Sequence, residues 1–311
     1  MALKITTIGE VLVDLTQTSI DGNGIVNFAA NPGGAPANVA VAASRLGAQT
    51  AFIGCIGKDS FGESLKRTLA ANNVCIDGLQ QTDKASTTLA VVTISESGER
   101  NFSFIRKPGA DMLIDEKAAL ASIRGTGILH FGSVSLTDPG CGAVIRNVVK
   151  AARAAGSIIT YDPNYRSSLW ESEEEAILRM REVLPLCDIV KISDEETYLL
   201  TGEGDPRKAA EALLNQGIKL VLVTLGADGS YFRTRDFEGT VEGFKVKVMD
   251  TNGAGDTFFG ALLSRIALRG GIDSIGYDEL CSYVRFANKA ASITTSRRGA
   301  IPAMPYLEEV K

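Results

Sequence analysis

The chain has 311 residues, 45% hydrophobic and 22% charged, an ordinary balance for a globular protein that excludes the disordered and fibrous classes. Its 32 basic and 37 acidic residues leave a formal charge of −5, and no basic run supplies a footprint for nucleic acid. No stretch approaches the ~20 apolar residues of a membrane span, so neither nucleic acid nor membrane is an expected partner.

The opening MALKITTIGEVLVDL carries one lysine, and Gly9, Glu10 and Asp14 break its apolar run in a way a secretory leader would not tolerate. It reads as a first strand with Asp14 near its end, where α/β folds present ligand groups. A solvated strand terminus is the plainer reading of Asp14, and position alone favours neither. Residues 15–30, with DGNG, read as a loop or a hairpin. The stretch NPGGAPANVA then sets Gly33 and Gly34 before Pro36, with Asn38 in the first turn of a helix. That helix keeps Val39, Ala42, Ala43 and Leu46 on one face and ends at Gly47.

Further along, TAFIGCIG, GILHFGSVSL, SIITYDPN, DIVKIS and LVLVTLG are short apolar runs, several without alternation, as strands covered on both faces require. Helical patterns lie between them, so the expected class is α/β with a mostly parallel central sheet and helices on both faces. Residues 86–106 depart from this rhythm and read as a hairpin around ESGE, with Arg100 and Arg106 on its second strand. We expect a single domain over residues 1–311, with a small β-sheet cover inserted at roughly 12–30 and 86–107. The five cysteines stand singly and read as small buried residues of a reducing, cytoplasmic protein. His130, the single histidine, reads as a core residue.

Common nucleotide and metal motifs fail. In GCIGKDS, Asp59 occupies the Ser/Thr position of a P-loop and Phe52 that of its first glycine. GEGDPR ends a would-be dinucleotide fingerprint on Arg207, and DTNG lacks the later ligands of an EF-hand. The stretch DTNGAGDTFF, residues 250–259, is more informative. From Phe259 an apolar face runs through Leu262, Leu263 and Ile266, so a helix begins near Gly253 to Asp256. Its first N–H groups lack intrahelical partners and carry the positive end of the helix dipole, and the glycines let an anion approach them. Asp256, aimed past a bound phosphate, could take the proton of an acceptor hydroxyl while those N–H groups steady the moving phosphoryl group. A glycine-rich turn capped by an aspartate is the plain alternative. Asp14, the backbone of Gly33 and Gly34, and the Asn38 amide together offer a carboxylate, donors and acceptors suited to a sugar.

GGAPANVAVAASRLG and DTNGAGDTFFGALL resemble the two signatures of the ribokinase-like (PfkB-type) carbohydrate kinases, and the similarity runs from IGEVLVDL to SRRGAIPAMP. Within that family, FGSVSL, YDPNYR and KISDEE look most like the fructokinases of plants and bacteria. The resemblance implies the ribokinase-like fold with a β lid, and ATP with Mg²⁺ as cosubstrate. It implies Asp256 as general base and Gly253, Ala254 and Gly255 as the anion hole. Asp14, Gly33, Gly34 and Asn38 match sugar-binding positions, and Arg106 on the lid hairpin matches a residue that reaches the sugar. Thr224, Gly226 and Gly229 match a nucleotide loop, and Asn288 a residue that flanks adenine; a bland surface role is the alternative reading of Thr224 and Asn288. Glu196 keeps the carboxylate that orients hydrated Mg²⁺, with Ser193 where the family often has Asn. Asp250, with backbone near Asn252, Thr294 and Gly299, resembles the K⁺ site found in parts of the family. The implied activity is ATP-dependent phosphorylation of D-fructose to D-fructose 6-phosphate. The alternatives are 2-keto-3-deoxygluconate, a riboside or ribose as acceptor, or a catalytically silent kinase-like binding protein. In this family exposed lid sheets sometimes pair into homodimers.

Overall fold

A computed structural model describes residues 1–94 and 100–311; the expected ESGE turn lies outside the described residues. In chain order come β1 (Ile5–Ile8), β2 (Leu12–Ile20), β3 (Val26–Gly33), α1 (Ala35–Arg45), β4 (Thr50–Gly57), α2 (Ser60–Ala71) and β5 (Val74–Thr82). Then follow β6 (Leu89–Ile94), β7 (Arg100–Ile105), α3 (Glu116–Ser122), β8 (Ile128–Gly132), α4 (Pro139–Ala154), β9 (Ile158–Asp162), α5 (Glu173–Glu182) and β10 (Ile189–Ser193). The last third holds α6 (Glu196–Thr201), α7 (Pro206–Leu214), β11 (Leu220–Thr224), β12 (Ser230–Arg233), β13 (Glu238–Val241), α8 (Ala254–Arg269), α9 (Tyr277–Thr295) and α10 (Leu307–Val310).

The main sheet runs β13-β12-β11-β10-β9-β8-β1-β4-β5, parallel throughout except for the β11-β12-β13 edge. Alternation along each strand feeds two cores. Ile128, Ile189, Leu220 and Leu222 turn towards α1, α8 and α9, whereas Leu129, Val190, Val221 and Val223 turn towards α4, α5 and α7. Burial on both faces is why these strands read as unbroken apolar runs. The chain moves to one side of β1 for β4 and to the other for β8, which makes the carboxyl end of β1 the switch point where such sheets form a crevice.

KITTIGEVLVDL does not form one strand. It splits at Gly9 and Glu10 into β1 of the main sheet and β2 of a second, four-stranded sheet ordered β3-β2-β6-β7. Asp14 therefore sits on a lid strand, not at the end of the first strand of the core. The break is built at Gly9, whose φ of +147° suits glycine and whose absent Cβ would fall 2.7 Å from Pro36 Cγ. The stretch 15–30 resolves into the antiparallel pair β2–β3, and 86–106 into β6–β7, with Arg106 just beyond the end of β7. β5, β12 and β13 were not singled out by their sequences; β5 is a half-exposed edge strand whose VCIDGLQQT shows no apolar run.

His130 is a core residue: it is buried, shares a hydrogen bond with Thr160 Oγ1 at 3.1 Å and meets Phe259 edge-on. Among the cysteines Cys55, Cys141 and Cys187 are buried, but Cys75 is exposed on edge strand β5, a correction to the all-buried reading. Helices α1 and α8 cross closely because position 260 is glycine; a Cβ there would lie 2.8 Å from both Ala42 Cβ and the Val39 carbonyl oxygen. That crossing holds the N-terminal turns of the two helices side by side. No helix among the described residues is long and apolar enough to cross a membrane.

Candidate active site

A cleft of about 720 Å³ lies where the carboxyl ends of the parallel strands meet the underside of the lid. At its centre is the start of α8. Gly253 caps that helix at φ 75°, and a side chain there would strike Ala300 at 2.8 Å; no side-chain cap covers the first turn. Gly253, Gly255 and Asp256 line the cleft. Ala254 does not, and its N–H donates to the Thr251 carbonyl at 3.3 Å, so the open N–H groups of the expected anion hole are those of the residues after it.

Asp256 is buried in the third position of α8. Its Oδ2 accepts from Asn38 Nδ2 at 2.8 Å and its Oδ1 from Asn164 Nδ2 at 3.3 Å. Burial raises its pKa, while the Asn38 hydrogen bond and the charges of Lys191 and Arg166 oppose the rise. A carboxylate so placed is oriented by two amides, and burial makes it more basic than an exposed aspartate.

At the lid end, Asp14 Oδ2 accepts from Asn252 Nδ2 at 3.2 Å, which ties β2 to the loop before α8. Burial, reinforced by Asp256 and Asp250, pushes the Asp14 carboxyl up to about 6 against the Asn252 hydrogen bond. A Cβ on Gly33 would lie 2.5 Å from Asp14 Oδ2, and one on Gly34 would lie 2.6 Å from the Glu10 carbonyl oxygen. Gly34, at φ 104°, and Asn38 line the cleft; Gly33 acts from behind by leaving room for Asp14. Asn38 spends its amide N–H on Asp256, and its Oδ1 finds no partner among the described residues.

On the opposite side, Thr224 ends β11 and lines the cleft with Gly226, whose φ is 58°. Gly229 does not reach it. A Cβ there would sit 2.1 Å from the Val241 carbonyl oxygen, so this glycine closes the turn between β11 and β12 against β13. Asn288 is likewise turned inward: Nδ2 donates to the carbonyls of Val241 at 3.0 Å and Glu242 at 3.3 Å, and Oδ1 accepts from Ser230. Both hold the segment after β13 in place.

Glu196 opens α6 with each oxygen fixed by a backbone N–H, Oε1 by Tyr165 at 2.7 Å and Oε2 by Ser193 at 2.8 Å, and it lines the cleft. Asp250 accepts from the N–H groups of Asn252 at 3.1 Å and Gly299 at 3.0 Å. Thr294 Oγ1 donates to Thr257 Oγ1 inside the core. The described residues hold no cluster of three or more His, Cys, Asp or Glu placed to bind a metal unaided.

Arg106 does not reach the cleft. Its guanidinium pairs with buried Asp111 at 2.8 Å and donates to Thr137 Oγ1 and the Val134 carbonyl, an anchor for the lid hairpin. The cleft has other residues that motif reading passed over: Asn164, Arg166, Lys191 and Glu10. Asn164 stands at φ 47°, the left-handed region that Asn tolerates. Its signal was the polar turn of YDPNYR at a strand's carboxyl end, and that of Lys191 was a charge inside the apolar strand IVKIS.

The profile of the pfkB family carbohydrate kinases matches residues 2–307. Fructokinase-2 of Solanum habrochaites is 42% identical over 312 residues, covering 98% of this chain and 94% of that protein. The ATP-bound fructokinase of Xylella fastidiosa superposes with a TM-score of 0.91 at 36% identity, over 99% of this chain and 96% of that one. A fructokinase double mutant from Vibrio cholerae O395, in fructose-, ADP- and potassium-bound form, gives 0.88 at 32%, over 99% and 97%. The chain belongs to the pfkB family of carbohydrate kinases, with the α/β ribokinase-like fold and its lid sheet.

One carboxyl at the lid hinge makes stability depend on pH. Glu10 Oε1 accepts the Ala35 N–H at 2.9 Å, while Oε2 is buried with no partner among the described residues. Burial above all, with help from Asp111, raises this carboxyl from 4.5 to about 8 against the Ala35 N–H and Arg106. The folded chain therefore keeps a proton that the unfolded chain loses, and stability from this group falls as pH rises from 4.5 towards 8. Glu10→Gln should flatten that slope, so its Tm relative to the parent rises between pH 5 and pH 8.5. An unchanged difference in Tm across that range would contradict the assignment.

Proposed function

We propose that this protein is an ATP-dependent fructokinase that transfers the γ-phosphoryl group of ATP to the 6-hydroxyl of D-fructose. The observation that carries the reading is Asp256 at the uncapped start of α8, held by Asn38 and Asn164 and facing the lid. In this reading Asp14, Asn38 and the backbone of Gly34 bind the sugar hydroxyls, with Gly33 making room for Asp14. Asp256 takes the proton of the acceptor hydroxyl as the phosphoryl group arrives. The N–H groups of Gly255 and Asp256 at the mouth of α8 steady the transferring group. Thr224 and Gly226 border the nucleotide, and Gly229 and Asn288 set the shape of its loop.

Mg²⁺ fits this donor set. It keeps most of its waters and needs only a carboxylate or two beside the phosphate oxygens, and Glu196 with neighbouring Asp194 and Glu195 supplies them. When bound it would neutralise charge on the nucleotide's phosphates. For K⁺, Asp250 and the backbone around Gly299 are the candidate holders, a reading supported by the potassium form of the Vibrio cholerae relative.

Fructose is favoured over an acidic acceptor by charge. The lid end of the cleft presents the Asp14 carboxylate, which would repel the carboxylate of 2-keto-3-deoxygluconate placed beside it. The similarity to plant and bacterial fructokinases supports the same choice. The β2–β3 hairpin of the lid exposes Ile20, Ile25, Val26 and Phe28, which favours pairing of two copies through the lid; light scattering should then give twice the chain mass, and a monomer mass would refute it.

Release of ADP from MgATP, measured with fructose, glucose, ribose, 2-keto-3-deoxygluconate and no sugar, tests the activity. Fructose should far exceed the others and yield fructose 6-phosphate. A different preferred sugar would replace the acceptor. ATP binding without turnover on any sugar would favour a silent binding protein.

A further inference from the structure

Lys191 sits in the middle of β10, between Val190 and Ile192, and is almost wholly buried. Alternation puts it on the same face as Ile189, the face that carries α8. Its Nζ lies 2.9 Å from Asp162 Oδ2 at the end of β9, and 3.0 Å from the point where a Cβ on Gly255 would begin. The ammonium thus stands against the second residue of α8, at the edge of the cleft.

A buried ion pair is weak evidence of a contribution to stability, because desolvation offsets most of the attraction. This one therefore needs another reason for its place. Around the ammonium are Asp162 from β9, Glu196 from α6 and Asp256 from α8, and from β8 the imidazole of His130. The three carboxylates hold Lys191 protonated against the effect of burial. His130 is pushed down to about 3 by burial and by the Lys191 charge, so it stays neutral and does not compete. Arg166, the other cation lining the cleft, donates to the Tyr165 carbonyl at 3.0 Å on the loop after β9.

We propose that Lys191 is the cation the protein itself supplies to the γ-phosphoryl group during transfer, held against the mouth of α8 by Asp162. The proposal rests on the kinase reading above. As the acceptor oxygen bonds to the γ-phosphorus, the bond from that phosphorus to the β,γ-bridging oxygen breaks and ADP leaves with its electron pair. The hydroxyl proton passes to Asp256, and Lys191 keeps its own. The ammonium touches an oxygen of the phosphoryl group and lies beside Asp256, so it stabilises charge on the group in flight and keeps the base ionised. Glycine at 255 leaves the space through which Nζ reaches that oxygen.

The test uses Lys191→Met and the double variant Lys191→Met/Asp162→Asn, which removes the pair without leaving an unpaired carboxylate. Folding is checked by circular dichroism, and ATP affinity by titration. The parent must first turn over with a sugar; if it does not, the kinase reading fails and this proposal with it. Given an active parent, kcat should fall by roughly 10²- to 10³-fold in both variants, as for loss of one preorganised donor. KM for the sugar and affinity for ATP should stay within a few-fold. The acid limb of kcat/KM should also move to higher pH as Asp256 loses its positive neighbour. A folded double variant with parental kcat would overturn the proposal, as would a loss confined to KM with the acid limb unmoved.

Discussion

Asn38 and Asp256 meet at 2.8 Å, and the rest of the site depends on that contact. The two residues are 218 positions apart, each in the first turn of its helix, so only the crossing of α1 and α8 brings them together. Gly260 permits the crossing by letting the α8 backbone lie against Val39 and Ala42. The hydrogen bond then fixes the carboxylate in one orientation inside a buried site, where an unoriented charge would be costly. An amide suits this task because its N–H can be spent on the Asp256 carboxylate while its oxygen accepts no hydrogen bond among the described residues.

The second constraint is the exchange of the chain between two sheets. Gly9 and Glu10 carry it from β1 into the lid, and Gly34 brings it back at the start of α1. Sugar-binding candidates from β2 and α1 therefore approach the base from above, whereas nucleotide and cation candidates come from the carboxyl ends of β10 and β11. Among the hydrogen bonds at this boundary, Asn252 donates to Asp14 and the Ala35 N–H donates to Glu10. They couple the pose of the lid to the loop before α8, a useful property where water must be kept from an activated phosphoryl group.

Much of this was legible in the sequence, for physical reasons that differ by element. Strands covered on both faces give unbroken apolar runs, so β4, β8, β9, β10 and β11 were easy to see. The glycines around α1 and α8 were readable because close backbone approach tolerates nothing larger. The break at Gly9 was not readable, since a single glycine inside an apolar run leaves the periodicity on either side intact. Asn164 and Lys191 were missed because each acts through a neighbour distant in sequence, Asp256 and Asp162 respectively. Arg106 was placed on the correct hairpin, yet nothing local revealed that Asp111 would claim its guanidinium. Gly229 and Asn288 were found as positions but serve the shape of a loop.

The central claim is that Asp256 acts as the base for the acceptor hydroxyl. The most direct measurement is a single turnover of the Asp256→Asn variant with MgATP and saturating fructose, alongside a titration of nucleotide binding. The account predicts that ATP binds with near-parental affinity while the chemical step slows by about 10²- to 10⁴-fold. A parental rate of transfer in the folded variant would remove Asp256 from the chemistry.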